Sequence, residues 1–178
     1  MKVLALGGSG GMGRFSSFAI SNYPNITKVT IADLNEDNAK EFSNLFDDRF
    51  TGIGLDVTDK EHLEKVMSGH DIVLNTTGPF FKFGLPILKS AIKCKCHYFD
   101  ICDDWEPTEE MLKLNDEALK NEITAIVGLG ASPGISNLLG LKAMNELDKT
   151  ESIITGWDVS SAKPVSYTHL TLPTNTPV

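Results

Sequence analysis

Three cysteines in 178 residues, Cys94, Cys96 and Cys102, are too few and too oddly numbered for a disulfide framework. The run Cys94-Lys95-Cys96-His97 has no second cysteine or histidine pair at zinc-site spacing. A structural zinc site needs four ligands, so buried or half-buried free thiols are expected and no metal site is assigned. No apolar run approaches the ~20 residues of a membrane span. Basic residues are also scarce: 16 Lys and Arg against 24 Asp and Glu leave a net charge of −8 and a pI near 4.9. That balance argues against a nucleic-acid or anionic-membrane partner. Residue 2 already opens an apolar strand pattern, with no leader-like segment before it. A cytoplasmic protein is the expectation.

Asp, Glu, Lys and Arg are missing altogether from residues 165–178. That stretch is rich in Thr and Pro and holds neither a helical nor a strand period. Residues 165–170 resemble the translation of a transposon-end sequencing adapter. The native chain is therefore expected to continue after Pro164 with other residues, and 165–178 are left out of the fold and site reasoning.

What is present centres on the first 33 residues. An apolar segment of strand length, 2–6, runs into Gly7-Gly8-Ser9-Gly10-Gly11-Met12-Gly13. Phe15, Phe18 and Ala19 follow at helical spacing, and a second apolar run, 28–32, ends in Asp33. Strand, glycine turn, helix, strand and acid in about thirty residues form the dinucleotide fingerprint, with Gly8, Gly10 and Gly13 in its three glycine positions. The expected roles are a sharp turn at Gly8, close approach of a pyrophosphate at Gly10, and tight helix-to-strand packing at Gly13. Ser9, Gly11 and Met12 complete the loop whose N–H groups, aided by the helix dipole, would hold the anion. Asp33 lies about 20 residues beyond Gly13, the spacing that sets a carboxylate on the adenosine ribose. An acid there favours NAD. No Arg or Lys follows Asp33 until Lys40, so NADP requires a basic residue from elsewhere in the fold.

Further on, apolar runs at 50–55, 71–75, 97–101 and 123–127 alternate with amphipathic segments. Asn35 and Asp59 stand where helix caps belong. Gly84-Leu85-Pro86 reads as the opening of another helix, with proline in its first turn. Residues 107–121 read as one charged helix. Gly128 to Gly134 then precede a helix through Leu138, Leu139, Leu141, Ala143 and Leu147. The order predicts an α/β, doubly wound parallel sheet of Rossmann type over residues 1–150. Residues 152–160 suggest a strand opening a second α+β domain over 151–164, and Trp157 reads as core.

Ligands of such sheets sit beyond the carboxyl ends of the strands. Asp56 and Val57, past the third strand, are assigned to the adenine. Thr76, Thr77 and Gly78, past the fourth, are assigned to the nicotinamide end. His97, Asp100, Asp103 and Asp104 are placed on the same ligand edge. Asp103 and Asp104 are the candidates for proton handling, and His97 is read as a satisfied strand residue.

Residues 3–14, Asn75-Thr76-Thr77-Gly78-Pro79-Phe80-Phe81 with Phe83-Gly84, His97-Tyr98-Phe99-Asp100, and Gly128 through Asn137 carry a resemblance. Together they are similar to the N-terminal nucleotide-binding domain of the saccharopine dehydrogenase family, up to about Trp157. The resemblance implies an NAD(P)-dependent oxidoreductase acting at a C–N bond of a small amino-acid or imine substrate. It also implies a following substrate and dimerisation domain, hence a homodimer of the full-length protein. A non-catalytic NAD(P)-sensing module is the alternative. A short-chain dehydrogenase would need a Tyr-x-x-x-Lys pair. Tyr23, Tyr98 and Tyr167 have Thr27, Cys102 and Thr171 four places on, so that pair is absent.

Overall fold

The computed structural model describes residues 1–156. Its chain alternates β1 (Lys2–Leu6), α1 (Gly11–Ser21), β2 (Lys28–Asp33), α2 (Glu36–Ser43), β3 (Phe50–Gly54), α3 (Lys60–Met67) and β4 (Ile72–Asn75). There follow α4 (Phe80–Lys93), β5 (His97–Asp100), α5 (Trp105–Leu112), α6 (Asn115–Lys120), β6 (Ala125–Ile126) and α7 (Ile135–Asn145). The six strands form one parallel sheet in the order β3-β2-β1-β4-β5-β6. This is the doubly wound order, and the chain reverses direction across the sheet between β1 and β4.

Both faces of the sheet are buried, which explains strands that are apolar at successive positions rather than at alternate ones. Val3, Val29 and Ile31 face a cluster with Ala39 and Phe42. Leu4, Leu6 and Val73 face a larger core built from α3, α4, α5 and α6. Under α1 and α2 the rings of Phe18, Phe42, Phe46 and Phe50 stack, tilt or meet edge to face at 4.3–5.7 Å. Aromatic pairs at such spacing add to their area burial. All three thiols are free, with Cys96 and Cys102 buried and Cys94 half-buried. Burial pushes the Cys96 thiol up to about 11.

Asn35 and Asp59 do cap α2 and α3, accepting from the N–H groups of Asn38 and His62. Other expectations are corrected. Helix α4 opens at Phe80, not Gly84, so Pro86 lies inside it. Phe80 is buried, and the Phe81 N–H donates to the Asp104 carboxylate at 3.3 Å, which extends the helix a turn before the proline. The charged helix over 107–121 is two helices. Asn115 and Asp116 start the second, as residues that compete for backbone bonds favour helix ends. Helix α7 forms as expected, yet none of its residues is buried. Residues 151–156 contain no strand, and the rest of the proposed second-domain segment, Trp157 included, lies outside the described residues.

At the amino edge of the sheet, His70 is held on both ring nitrogens, 2.8 Å from the Val66 carbonyl and 2.8 Å from the Thr30 hydroxyl. A carbonyl only accepts, so Nδ1 carries the proton and Nε2 accepts from Thr30. Burial lowers its pKa below the ordinary 6.5, with Lys28 and Lys2 acting in the same direction against Asp71 and the Val66 bond. The unfolded chain then takes up this proton at a higher pH than the folded one. Stability is full above 6.5 and falls as the pH drops from there towards the lower folded value. Thermal melts across this range should show the decline in the natural chain, and a shallower decline in His70→Gln.

Candidate functional site

The glycine turn is pinned to the end of β2. The N–H groups of Gly7 and Gly8 both donate to the Ala32 carbonyl, at 2.9 and 3.3 Å. The left-handed residue is Gly7, at φ +67°, rather than Gly8. A Cβ on Gly8 would lie 2.8 Å from the Ala5 carbonyl oxygen, so Gly8 is there for close packing on β1. At Gly13 a Cβ would fall 2.1 Å from the Gly7 carbonyl oxygen, and the expected tight helix approach is found. Gly10 differs. Its Cβ would meet only the Gly7 oxygen, at 3.1 Å, which leaves its outer side open.

Gly10 is also the N-cap of α1 and supplies no side-chain cap, and the first turn carries no acid. Helices α2 and α3, in contrast, have both. The orphan N–H groups of α1 and its positive dipole end therefore face the open side of the loop, a site suited to an anion. These features fit the pyrophosphate of a dinucleotide.

On the β2 side of this loop, the Ser9 hydroxyl donates to Asp33 at 2.6 Å. Ser9 thus orients the carboxylate, whose other oxygen accepts a longer bond from the Asn35 N–H at 3.4 Å. Arg14 donates through Nε to the Ser9 carbonyl at 2.8 Å and lies over the Phe42 ring at 4.5 Å. The sequence reading missed this residue because it looked for a cation after Asp33. The guanidinium instead comes from α1, directly after the last glycine of the fingerprint. Lys40, the first cation after Asp33 in the sequence, is paired with Glu36 at 2.5 Å.

Asp56 lies past β3 as expected and accepts from the Thr58 N–H and hydroxyl at 2.8 and 2.7 Å. Those bonds hold its carboxyl below the ordinary range. Val57 lines a cleft of about 420 Å³ with Thr58, Lys82 and Phe83. On the other side of the crossover, the Thr76 hydroxyl is committed to the Leu6 carbonyl at 2.9 Å and so ties the two loops together. The Thr77 hydroxyl is buried without a hydrogen-bond partner. Gly78 has nothing within 4 Å of where a Cβ would stand.

The four residues assigned to the end of β5 separate. His97 begins the strand and so lies on the opposite edge from the ligands. Its Nδ1 accepts from the Thr124 N–H at 2.9 Å, the satisfied strand role expected of it. Asp100 is wholly buried. Asp104 accepts from the Phe81 N–H at the start of α4. Asp103 is exposed and lines a cleft of about 660 Å³ with Asp104, Trp105, Ser132, Pro133 and Asn137. Crowding of its carboxyl by neighbouring atoms pushes its pKa up, and the Asp104 charge adds to this. Of the two candidates for proton handling, Asp103 is the one left free.

The family model described as "Saccharopine dehydrogenase NADP binding domain" matches residues 3–126. The NADP(+), L-glutamate-forming saccharopine dehydrogenase of Schizosaccharomyces pombe is 30% identical over 97 residues, covering 54% of this chain and 20% of its own. The enzyme of the same name from Saccharomyces cerevisiae is 31% identical over 97 residues, covering 54% of this chain and 21% of its own. The chain thus spans about a fifth of the length of these relatives. Apo saccharopine dehydrogenase (L-Glu forming) from Saccharomyces cerevisiae superimposes with a TM-score of 0.70 at 28% identity, over 82% of this chain and 31% of that one. A short-chain dehydrogenase from Streptomyces avermitilis reaches a TM-score of 0.53 at 16% identity, over 71% of this chain and 65% of that one, a likeness of fold alone.

Two glycine substitutions should separate packing from binding. Gly13→Ala should lose about 3 kcal/mol of stability from the clash with Gly7. Gly10→Ala should stay within about 1 kcal/mol of the natural chain yet bind NADH about tenfold more weakly. Thermal melts and fluorescence titration check both.

Proposed function

From the premise that the chain belongs to the saccharopine dehydrogenase NADP binding domain family, we propose that it is the cofactor-binding part of an NAD(P)-dependent oxidoreductase. The substrate would be a small amino acid or imine, oxidised or reduced at a C–N bond. The observation that carries this reading is the uncapped N-terminus of α1 beside the open Gly10 at the β1–β4 crossover. The similarity to L-glutamate-forming saccharopine dehydrogenases supports the substrate class.

In this assignment the N–H groups of Gly11, Met12 and Gly13 would bind the pyrophosphate over the open side of Gly10, whose own N–H donates to the Gly7 carbonyl at 3.0 Å. Asp33, oriented by Ser9, takes the adenosine ribose hydroxyls, and Asp56 and Val57 border the adenine. Thr76, Thr77 and Gly78 border the nicotinamide end, and the cleft beside Asp103 receives the substrate. The nicotinamide cofactor supplies the hydride chemistry. The chain's own residues align the reacting carbons and keep water away. Asp103, with its raised pKa, would accept or return a proton at the substrate nitrogen.

We assign NAD as the preferred cofactor because the Asp33 carboxylate would repel a 2′-phosphate. Arg14 is the cation that would admit NADP, the cofactor named for the family. The uncovered apolar residues of α7, among them Leu138 and Leu139, are assigned to contacts with the rest of a longer protein and its homodimer. The 178-residue chain alone should therefore bind a dinucleotide and turn nothing over. Measurable hydride transfer by it would contradict that.

Cofactor choice is tested by titrating NADH and NADPH. Asp33→Ser should shift the preference towards NADPH by about tenfold, a repulsion of about 1.4 kcal/mol relieved. Arg14→Ala should weaken NADPH more than NADH, whose loss is limited to the support that Arg14 gives Ser9. Tighter NADPH than NADH binding by the natural chain would overturn the NAD assignment.

A further inference from the structure

Asn75, Tyr98 and Asp100 are each 0% exposed. Asn75 and Asp100 are partners in the β4–β5 register, and Tyr98 lies two residues earlier on β5, on the same face as Asp100. Their side chains form a continuous chain of hydrogen bonds. The Asn75 amide donates to the Tyr98 hydroxyl at 3.0 Å, and Tyr98 donates to Asp100 Oδ2 at 2.8 Å. Each end of this chain grips the backbone of a carboxyl-edge loop. Asn75 Oδ1 accepts from the Thr77 N–H at 3.0 Å. Asp100 Oδ1 accepts from the N–H groups of Cys102 at 3.0 Å and Gly128 at 2.8 Å.

These three anchors belong to the loops after β4, β5 and β6, those that border the nicotinamide end and the Asp103 cleft. From Gly128 the link extends to the cleft wall, because a Cβ there would fall 2.8 Å from the Pro133 ring. Next to the Asn75 anchor lies the Thr77 hydroxyl, buried and without a partner. A buried polar atom of this kind calls for an explanation. The buried chain itself is costly. Burial raises both the Asp100 carboxyl and the Tyr98 phenol, and well-packed apolar residues often serve stability equally well.

We propose that Asn75, Tyr98 and Asp100 are a positioning network. It fixes the three loops in one register and presents the Thr77 hydroxyl to the nicotinamide end of the dinucleotide. This rests on the dinucleotide reading of the site. The adenosine half binds on the β2 side of the crossover, remote from the network, so the two halves of the ligand respond differently to its loss.

The test is calorimetric titration of the chain with NADH and with ADP-ribose, which keeps the adenosine, pyrophosphate and second ribose but lacks nicotinamide. The natural chain should bind NADH more tightly. Tyr98→Phe should weaken NADH about fivefold or more, the worth of one hydrogen bond, while ADP-ribose stays within about twofold. Thr77→Val, which leaves the buried chain whole, should do the same. If Tyr98→Phe does not fold, Asn75→Ser breaks the Thr77 anchor and keeps the Tyr98–Asp100 pair, and the same split is expected. Equal weakening of both ligands would reduce the network to a structural role and overturn the proposal. Unchanged NADH binding by Thr77→Val would overturn it too. A natural chain that binds neither ligand would instead overturn the dinucleotide reading itself.

Discussion

The carboxyl edge of this protein depends on how closely α1 approaches the turn before it. The contact is backbone on backbone, with the Gly7 carbonyl where a Gly13 side chain would stand. That approach aims the α1 N-terminus across the gap between β1 and β4. Everything proposed to touch a cofactor is arranged around that gap. Asp33 and Asp56 lie on one side, and Thr77 and Asp103 lie on the other. The first pair follows β2 and β3, the second β4 and β5, so the strand order separates the residues proposed for the adenosine half from those proposed for the reacting half.

The two halves are held by different means. On the β2 side the contacts are short-range. Ser9 bonds Asp33, Arg14 bonds Ser9, and the phenylalanine cluster supports Arg14 from below. On the β5 side a buried polar chain joins loops that are far apart in sequence, from Thr77 to Gly128.

The alternation of strands and helices, the doubly wound parallel class it implies and the glycine turn were legible in the sequence, because apolar runs and residues that tolerate close approach are local signals. Caps at Asn35 and Asp59 were legible for the same reason. What the sequence hid was set by register and by distance along the chain. His97 was grouped with the ligand edge although its apolar run begins with it, and the first residue of a parallel strand stands at the opposite edge. Pro86 marked a helix start only if Phe80 and Asp104 were ignored, and Asp104 lies more than a helix away. Arg14 was hidden because its partner, Ser9, is defined by a turn. Asn75, Tyr98 and Asp100 could be tied together only once β4 and β5 were paired.

The most direct measurement of the central claim is an amide-resolved NMR titration of the labelled chain with NADH. The account predicts saturable shifts at Gly10, Gly11, Met12 and Gly13, at Asp33 and at Thr77, on both sides of the crossover, with His70 and the amino edge unmoved. Shifts confined to α7 or the amino edge, or none at all, would contradict it.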